Sequence, residues 1–356
     1  MRKISGIKFR KRRRKIKKKK KLINIYIFNS LILIITGVIC VLAIKLSLVN
    51  NNDSNYYIFN EKINKKYIKN QNDFCVLQNY NNYSSYINNI TLVKANYNDI
   101  SFYMYVLKGK DIVSSFIKRT QIWEKKQTTK LIEALDFYTK KFNIKNKEAY
   151  IIDIGANLGW YTLLFGKLGF NVLSFEPSNI NYFILKKNYC LNKDINVTLI
   201  NKGLFTEEKI CDLYNQMGNE GNGFIYCDKN YTKPKEFSIK AGKMKLTKLQ
   251  NFIPFLSNKN LIMIKIDTEG SEGKALEGGI EIITKYHVPF IFLEFNKHLL
   301  RAHGTRTIKF LQMFIENGYK ICLDGFLSKK YISPNDKFFL RIEGVELYIV
   351  YENIFN

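Results

Sequence analysis

Three carboxylates, Asp267, Glu269 and Glu272, fall within MIKIDTEGSEG (263–273), directly behind a short apolar run. Acids that close repel one another unless a cation, a substrate or a helix terminus holds them. Such a group can take a proton from an acceptor hydroxyl, bind a divalent ion, or favour the positive end of a following helix. A second set stands upstream. DIGANLG (153–159) places Asp153, Gly155, Asn157 and Gly159 behind another apolar run, and Glu176 in FEP follows 21 residues after Gly155. Glycines behind a strand permit a tight turn and close approach of the backbone to a ligand. An acid ahead of the loop suits a cationic or amino-bearing ligand, and an acid at the end of the next strand commonly accepts from ribose hydroxyls. The loop is not G-x-G-x-x-G: Asn157 replaces the second glycine and Gly159 ends the loop early. That weakens the case for a pyrophosphate over the helix N-terminus. The two signals together predict a nucleoside-bearing cofactor.

The elements between these residues must position them. From 149 onward, short apolar runs alternate with helical spacing. AYIIDIG, NVLSFEP, NVTLIN, LIMIKID and VPFIFLEF read as strands, and YKICLDGF and VELYIVYE as two terminal ones. WYTLLFGKLG, SNINYFILKKNYCLN, 271–285 and 305–317 read as the intervening helices. This alternation predicts one doubly wound α/β domain with a mostly parallel sheet covered on both faces. Ligands of such sheets bind at the carboxyl ends of the strands, where Glu176, Asp267 and Glu294 stand. Residues 203–240 read as a Gly- and Asn-containing hairpin region. Upstream, ITLVKANY and ISFYMYVL flank ND as a hairpin. Residues 113–142 then show helical spacing, with Ile117, Ile122, Leu131, Leu135 and Tyr138 on apolar faces.

The formal charge of +27 at pH 7 invites a nucleic-acid reading, but 14 of the 57 Lys and Arg lie in residues 1–21, which hold no acid. Residues 22–44 follow without a single charge. At 1.5 Å per residue that run is long enough to cross a hydrocarbon core of about 30 Å. It exceeds a signal-peptide core and offers no good cleavage site. The reading is an uncleaved signal-anchor, with no nucleic-acid partner. Cations ahead of the anchor keep the tail cytosolic and place the rest across the membrane, in the lumen of the ER or Golgi. Residues 45–87, rich in Asn, Tyr and Lys, read as a stem. Sequons at Asn52, Asn82, Asn89, Asn196 and Asn230 are compatible with that side but add little in so Asn-rich a chain. Of five cysteines beyond the anchor, Cys211 and Cys227 flank the hairpin region and form the pair expected to bridge, against isolated buried thiols as the plainer reading.

DIGANLGWYTLLFGKLG, VLSFEP, LINKGL and IKIDTEGSE…LEG resemble the FkbM family of S-adenosylmethionine-dependent methyltransferases, with DIVSSFIKRTQIWE (111–124) similar to the lead-in of that family. The similarity spans roughly 90–352. It implies a class I, Rossmann-like methyltransferase fold with S-adenosyl-L-methionine as cofactor. The implied reaction is methyl transfer to oxygen, often of a sugar hydroxyl. On the family pattern Asp153, Gly155, Ala156, Asn157, Gly159 and Glu176 bind the cofactor, with Asn201 near the adenosine. Trp160 and Thr268 occupy positions expected to vary, and 203–240 carries no alignable motif, which leaves the acceptor side unassigned. The organisation expected is a basic tail (1–21), a transmembrane helix (22–44), a stem (45–87) and a methyltransferase domain (88–356).

Methyl transfer to a hydroxyl needs alignment and a general base. Candidates are Asp267, Glu269, Glu272 and Glu294, with Asp267 favoured because it stands at the fourth strand's tip. Its plainer reading is a carboxylate satisfying loop amides. His298 and His303 carry less weight. The rival from another class is a type II membrane glycosyltransferase using a nucleotide sugar and a divalent metal at D-x-D. Here the sequence is D-x-E, and that reading leaves Gly155, Gly159 and Glu176 without a role; no metal ligands are assigned. A third reading, an anchored lectin-like protein with a decayed cofactor site, conflicts with the intact loop. The expected acceptor is a saccharide or small-molecule hydroxyl.

Overall fold

The computed structural model describes Cys75 and residues 88–355, apart from 228–231 and 257. The basic tail, the apolar segment 22–44 and, Cys75 aside, the stem lie outside the described residues. Among the described residues no helix is long and apolar enough to cross a membrane.

The first elements are an antiparallel hairpin, β1 (Ile90–Tyr97) and β2 (Ile100–Leu107), turned at Asn98 with φ 49°. Helices α1 (Ile112–Thr120) and α2 (Lys125–Lys141) come next. The continuous helical spacing over 113–142 is thus interrupted. Gln121 and Glu124 take left-handed conformations, at φ 64° and 42°. The carbonyl of Gln121 accepts from the amide of Asn96 on β1, at 2.7 Å. Ile122 therefore sits in the break and not on a helix face.

The main sheet is assembled from β3 (Ala149–Ile154), α3 (Trp160–Lys167), β4 (Asn171–Phe175), α4 (Asn179–Leu191) and β5 (Asn196–Ile200). Next comes a four-stranded insertion of β6 (Gly203–Leu204), β7 (Lys209–Gln216), β8 (Asn219–Tyr226) and β9 (Ile239–Thr247). Then α5 (Ile253–Leu256), β10 (Asn260–Ile266), α6 (Glu272–Glu277), α7 (Glu281–Thr284) and β11 (Phe290–Asn296) resume the alternation. The chain closes with α8 (Lys297–Ala302), α9 (Thr307–Glu316), β12 (Tyr319–Cys322), α10 (Lys337–Arg341) and β13 (Gly344–Tyr351).

Seven strands pair in the order β12-β13-β11-β10-β3-β4-β5. β13 runs antiparallel to both its neighbours and the remaining pairs are parallel, so the sheet is mixed. Side chains along β3 alternate between two apolar layers. Ile151 joins Leu131, Leu163 and Ile184, whereas Ile152 and Ile154 join Leu276, Ile283 and Phe314. Helices therefore cover both faces, as the near-continuous apolar strands require. This is the doubly wound α/β architecture that the alternation of apolar runs and helices predicts.

Two segments depart from the sequence expectation. The helix expected over 271–285 is two short ones, parted at Gly278 and Gly279. A Cβ on Gly278 would stand 2.0 Å from the carbonyl oxygen of Phe205, so the chain slides past the end of β6 only with glycine there. The hairpin expected within 203–240 is a four-stranded sheet, ordered β6-β9-β7-β8. Its third long strand, β9, escaped notice because exposed Lys240, Lys243 and Lys245 break any apolar alternation. Cys211 and Cys227 form the expected disulfide, with Cα atoms 4.6 Å apart, across the open end of β7 and β8. A second disulfide, Cys75–Cys190, ties the stem segment to α4, and Cys322 is free and buried. Replacing Cys211 and Cys227 together by Ser should lower the unfolding free energy by about 3 kcal/mol, the loop-closure value for a ring of this size. Urea denaturation of variant and wild type checks this, and equal midpoints would mean the bridge contributes nothing.

Candidate active site

The chain leaves β3 at Gly155, where φ is 76° and a Cβ would stand 1.8 Å from the carbonyl oxygen of Asp267. The loop after β3 and the loop after β10 are thus in backbone contact, and the amide of Asp267 donates to Ile154 at 3.0 Å. Amides of Gly155 and Ala156 both donate to Phe175 at the end of β4. Glu176, the next residue, accepts from the amide of Asn157 at 2.8 Å with one oxygen and from that of Ser178 at 2.9 Å with the other. Burial nevertheless pushes its carboxyl up to about 7. The side-chain amide of Asn201 donates to the Glu176 carbonyl at 2.9 Å and fixes the backbone there.

A cavity of about 300 Å³ opens at these strand ends. Of the residues expected at a cofactor, Gly155, Ala156, Asn157 and Glu176 line it; Asp153, Gly159 and Asn201 do not. Gly159 caps the start of α3 at φ 98°, and a Cβ there would stand 2.5 Å from the Leu185 side chain. Asp153 has no exposed surface. It accepts from the Thr162 hydroxyl at 2.6 Å and pairs with Lys265 at 3.6 Å. Register explains this: Asp153 and Lys265 are directly paired on β3 and β10, and their side chains leave the same face. Asp153 belongs to the floor under the loop.

Lys265 has 3% exposure. Its ammonium also donates to the Gly155 carbonyl at 3.1 Å, lies 3.5 Å from Asp267 and sits 5.3 Å over the ring of Tyr161. Burial works to lower its pKa, yet Asp267, Asp153 and Glu124 together hold it well above the ordinary lysine value. Sequence reasoning passed over Lys265. The signal was a lysine inside an otherwise apolar strand, at the same depth as the aspartate of a neighbouring strand.

The four candidate bases separate. Asp267, Glu269 and Glu294 line the cavity, and one oxygen from each lies within 4.8 Å of the others. A shared proton or a shared cation satisfies such spacing. Glu272 points elsewhere: one oxygen accepts from the amides of Thr268 and Gly270, at 2.8 and 3.2 Å, and from the Thr268 hydroxyl. It shapes the turn ahead of α6. Burial first, then Asp267 and Glu272, push Glu269 up to about 8. His298 is exposed and lies 4.0 Å from Glu236. His303 is buried against Phe224, with ring centroids 4.2 Å apart, and burial pushes it down to about 3. Neither histidine lines the cavity.

Other lining groups come from unexpected places. Glu124, in the break between α1 and α2, accepts from the Tyr161 hydroxyl at 2.8 Å, and burial followed by Asp267 pushes it up to about 7. Glu346, near the start of β13, accepts from Gln127 at 2.8 Å. Leu213, Asn215, Asn222 and Ile225 of the β7–β8 hairpin close one wall. The segment without an alignable motif thus builds part of the site.

No curated protein matches the chain. Solved structures give low likeness. A precorrin-6y C5,15-methyltransferase from Geobacter metallireducens GS-15 is 12% identical over 62% of this chain and 88% of its own, with a TM-score of 0.31. Magnesium protoporphyrin IX methyltransferase from Synechocystis PCC 6803, with bound SAM, is 10% identical over 68% and 85%, with a TM-score of 0.34. A SAM-dependent methyltransferase from Agrobacterium tumefaciens is 10% identical over 73% and 70%, with a TM-score of 0.38. Residues 153–321, from the buried aspartate of β3 into β12, match the model of the methyltransferase FkbM domain.

Proposed function

We propose that this chain is an S-adenosyl-L-methionine-dependent O-methyltransferase acting on a hydroxyl of a glycan or other saccharide. The observation that carries the reading is that Gly155–Asn157, Glu176 and Asp267 line one cavity. The residues fit the cofactor. Six carboxylates, Glu124, Glu176, Asp267, Glu269, Glu294 and Glu346, line the cavity against Lys265, which suits a ligand carrying a sulfonium and an ammonium. Three asparagine oxygens on its lining, Oδ1 of Asn157, Asn181 and Asn222, have no hydrogen-bond partner, and buried acceptors require donors.

When bound, the cofactor supplies an electrophilic methyl on a good leaving group. Glu176, held by two backbone amides, offers its remaining lone pairs to ribose hydroxyls. Asp267, partly exposed on the cavity wall and steadied by Lys265, takes the acceptor's hydroxyl proton. The β7–β8 hairpin supports a polar acceptor, since Asn215 and Asn222 present amide groups able to bond hydroxyls. Saccharide as the acceptor class rests on those side chains and the family.

We place the domain in the lumen of the ER or Golgi, on a single-pass type II anchor. The support is the uncharged run 22–44 behind fourteen cations, together with two disulfides, which persist in oxidising compartments. Protease treatment of sealed microsomes should leave the C-terminal domain intact; its complete digestion sinks the lumenal assignment.

Calorimetric titration of the full chain with S-adenosylmethionine, and separately with a UDP-sugar plus Mn²⁺, should give binding only to the first. The opposite result establishes the glycosyltransferase reading. Glu176→Ala should weaken cofactor binding by about 10- to 100-fold, the range for hydrogen bonds to a charged group. Asp267→Asn should lower kcat by about 10²- to 10⁴-fold, as for loss of a general base, and change cofactor affinity far less. Equal and small effects of both substitutions would show that the assigned roles are wrong.

A further inference from the structure

Glu294 lies within β11 in direct register with Glu346 on antiparallel β13. Like charges directly opposed across a strand pair destabilise it. On its other side one oxygen of the Glu294 carboxyl lies within 4.8 Å of an oxygen of Asp267 and of one of Glu269. Two ionised carboxylates this close on one cavity wall repel each other, as like charges sharing a site do. One of the pair holds a proton, or a cation stands between them. Lys265 is the cation at hand, but it lies beside Asp267 and is shared with Asp153 and the Gly155 carbonyl. No other lysine or arginine lines the cavity among the described residues.

We infer that Glu294 acts as a neutral carboxylic acid donating its hydrogen bond to Asp267, a positioning residue that leaves Asp267 as the charged base of the cluster. Lys265 on one side and the Glu294 hydroxyl on the other then fix the Asp267 carboxylate in place. When the acceptor's proton moves to Asp267, Glu294 keeps its own, so the pair passes from one negative charge to none. This role in turnover rests on the methyltransferase reading; the protonation of Glu294 does not.

Every charged neighbour works in the same direction except Lys265. Asp267 and Glu269 face Glu294 from the loop after β10 and Glu346 from β13; Glu272 acts from the start of α6, and Glu124 lines the same cavity from the α1–α2 break. Burial first, then Asp267, Glu269 and Glu272, push Glu294 up to about 10. Between the ordinary glutamate value and that one, the folded protein binds a proton that the unfolded chain has released. Stability present below the ordinary value is therefore lost as pH rises toward 10. Glu124, Glu176, Glu269 and Glu272, all raised to about 7 or 8, add to the slope over the lower part of the window.

The tests use Glu294→Gln, which keeps the shape and a hydrogen-bond donor but cannot ionise. Thermal unfolding of wild type from pH 5 to pH 10 should show a falling midpoint, and Glu294→Gln should fall less steeply; parallel curves overturn the inference. In methyl-transfer assays Glu294→Gln should hold kcat at pH 7 within about threefold and escape the alkaline decline of wild type, whereas Glu294→Ala should lose activity at every pH. A Glu294→Gln enzyme as inactive as Asp267→Asn overturns the positioning role. Infrared difference spectra should show a protonated-carboxyl band in wild type at pH 9, where the acids raised to about 7 or 8 are ionised, absent from Glu294→Gln and unchanged by EDTA. Absence of that band, or a stability that EDTA lowers and Mn²⁺ restores, would replace the proton with a divalent ion. Should wild type transfer no methyl group, the unfolding and infrared arms still decide the protonation, which separates the two failures.

Discussion

A lysine buried between two strands is the constraint on which the rest of the site depends. Taking an ammonium out of water costs several kcal/mol, repaid only by close and well-placed partners. Lys265 has four: Asp153, Asp267, the Gly155 carbonyl and the ring of Tyr161. Each belongs to a different part of the site, so the arrangement holds the loop after β3, the loop after β10 and the first turn of α3 in one geometry. The dependence is mutual, because Asp153 without Lys265 would be a buried carboxylate supported by a single hydroxyl. DIG and KID therefore specify one another. The glycine at 155 completes the match by admitting the Asp267 carbonyl where a side chain would stand.

The four-stranded insertion is fastened to this frame by side chains outside the usual strand pairing. Asp111 caps α1 through the amide of Ser114 and accepts from the amide of Gly221 on β8. A Cβ at 221 would lie 2.2 Å from the Asp111 carboxylate, so only glycine lets β8 approach. Asn181 of α4 donates to the Gly221 carbonyl from the other side. Asn188, one helical stretch further, bonds the Leu158 carbonyl in the loop after β3 and the backbone of Tyr105 on β2. One helix thus registers the N-terminal hairpin, the loop and the cavity wall together. With the disulfide across the open end of β7 and β8, that wall is held at both its base and its middle.

Much of this was legible in the sequence, for identifiable reasons. The seven strands of the main sheet are short apolar runs, and the site chemistry stands at their ends: glycines after β3, an acid after β4, β10 and within β11. The breaks in helices were not legible, because tertiary partners make them. Nothing local in QIWE announces that the Gln121 carbonyl will bond Asn96, and the glycines of LEGG do not reveal that Phe205 presses against them. Spacing pointed to Asp153 and Gly159, and the family resemblance to Asn201, without saying which side of the chain at each meets the cavity. Asp153 turned out to be floor and Asn201 a brace, since the face a residue presents depends on strand register.

Register also explains why Glu346 stayed hidden. In a parallel sheet every strand offers the site its carboxyl end, and a reading that inspects strand ends finds those residues. β13 runs the other way, so it offers its beginning, and Glu346 comes opposite Glu294 only through the antiparallel pairing with β11. Gln127 on α2 then holds Glu346 from above the sheet. The one reversed strand contributes an acid at a position that in a parallel strand would lie at the opposite edge of the sheet. Its proximity to Glu294 crowds the acids around Asp267, and that crowding makes the proton inventory of the site a structural question.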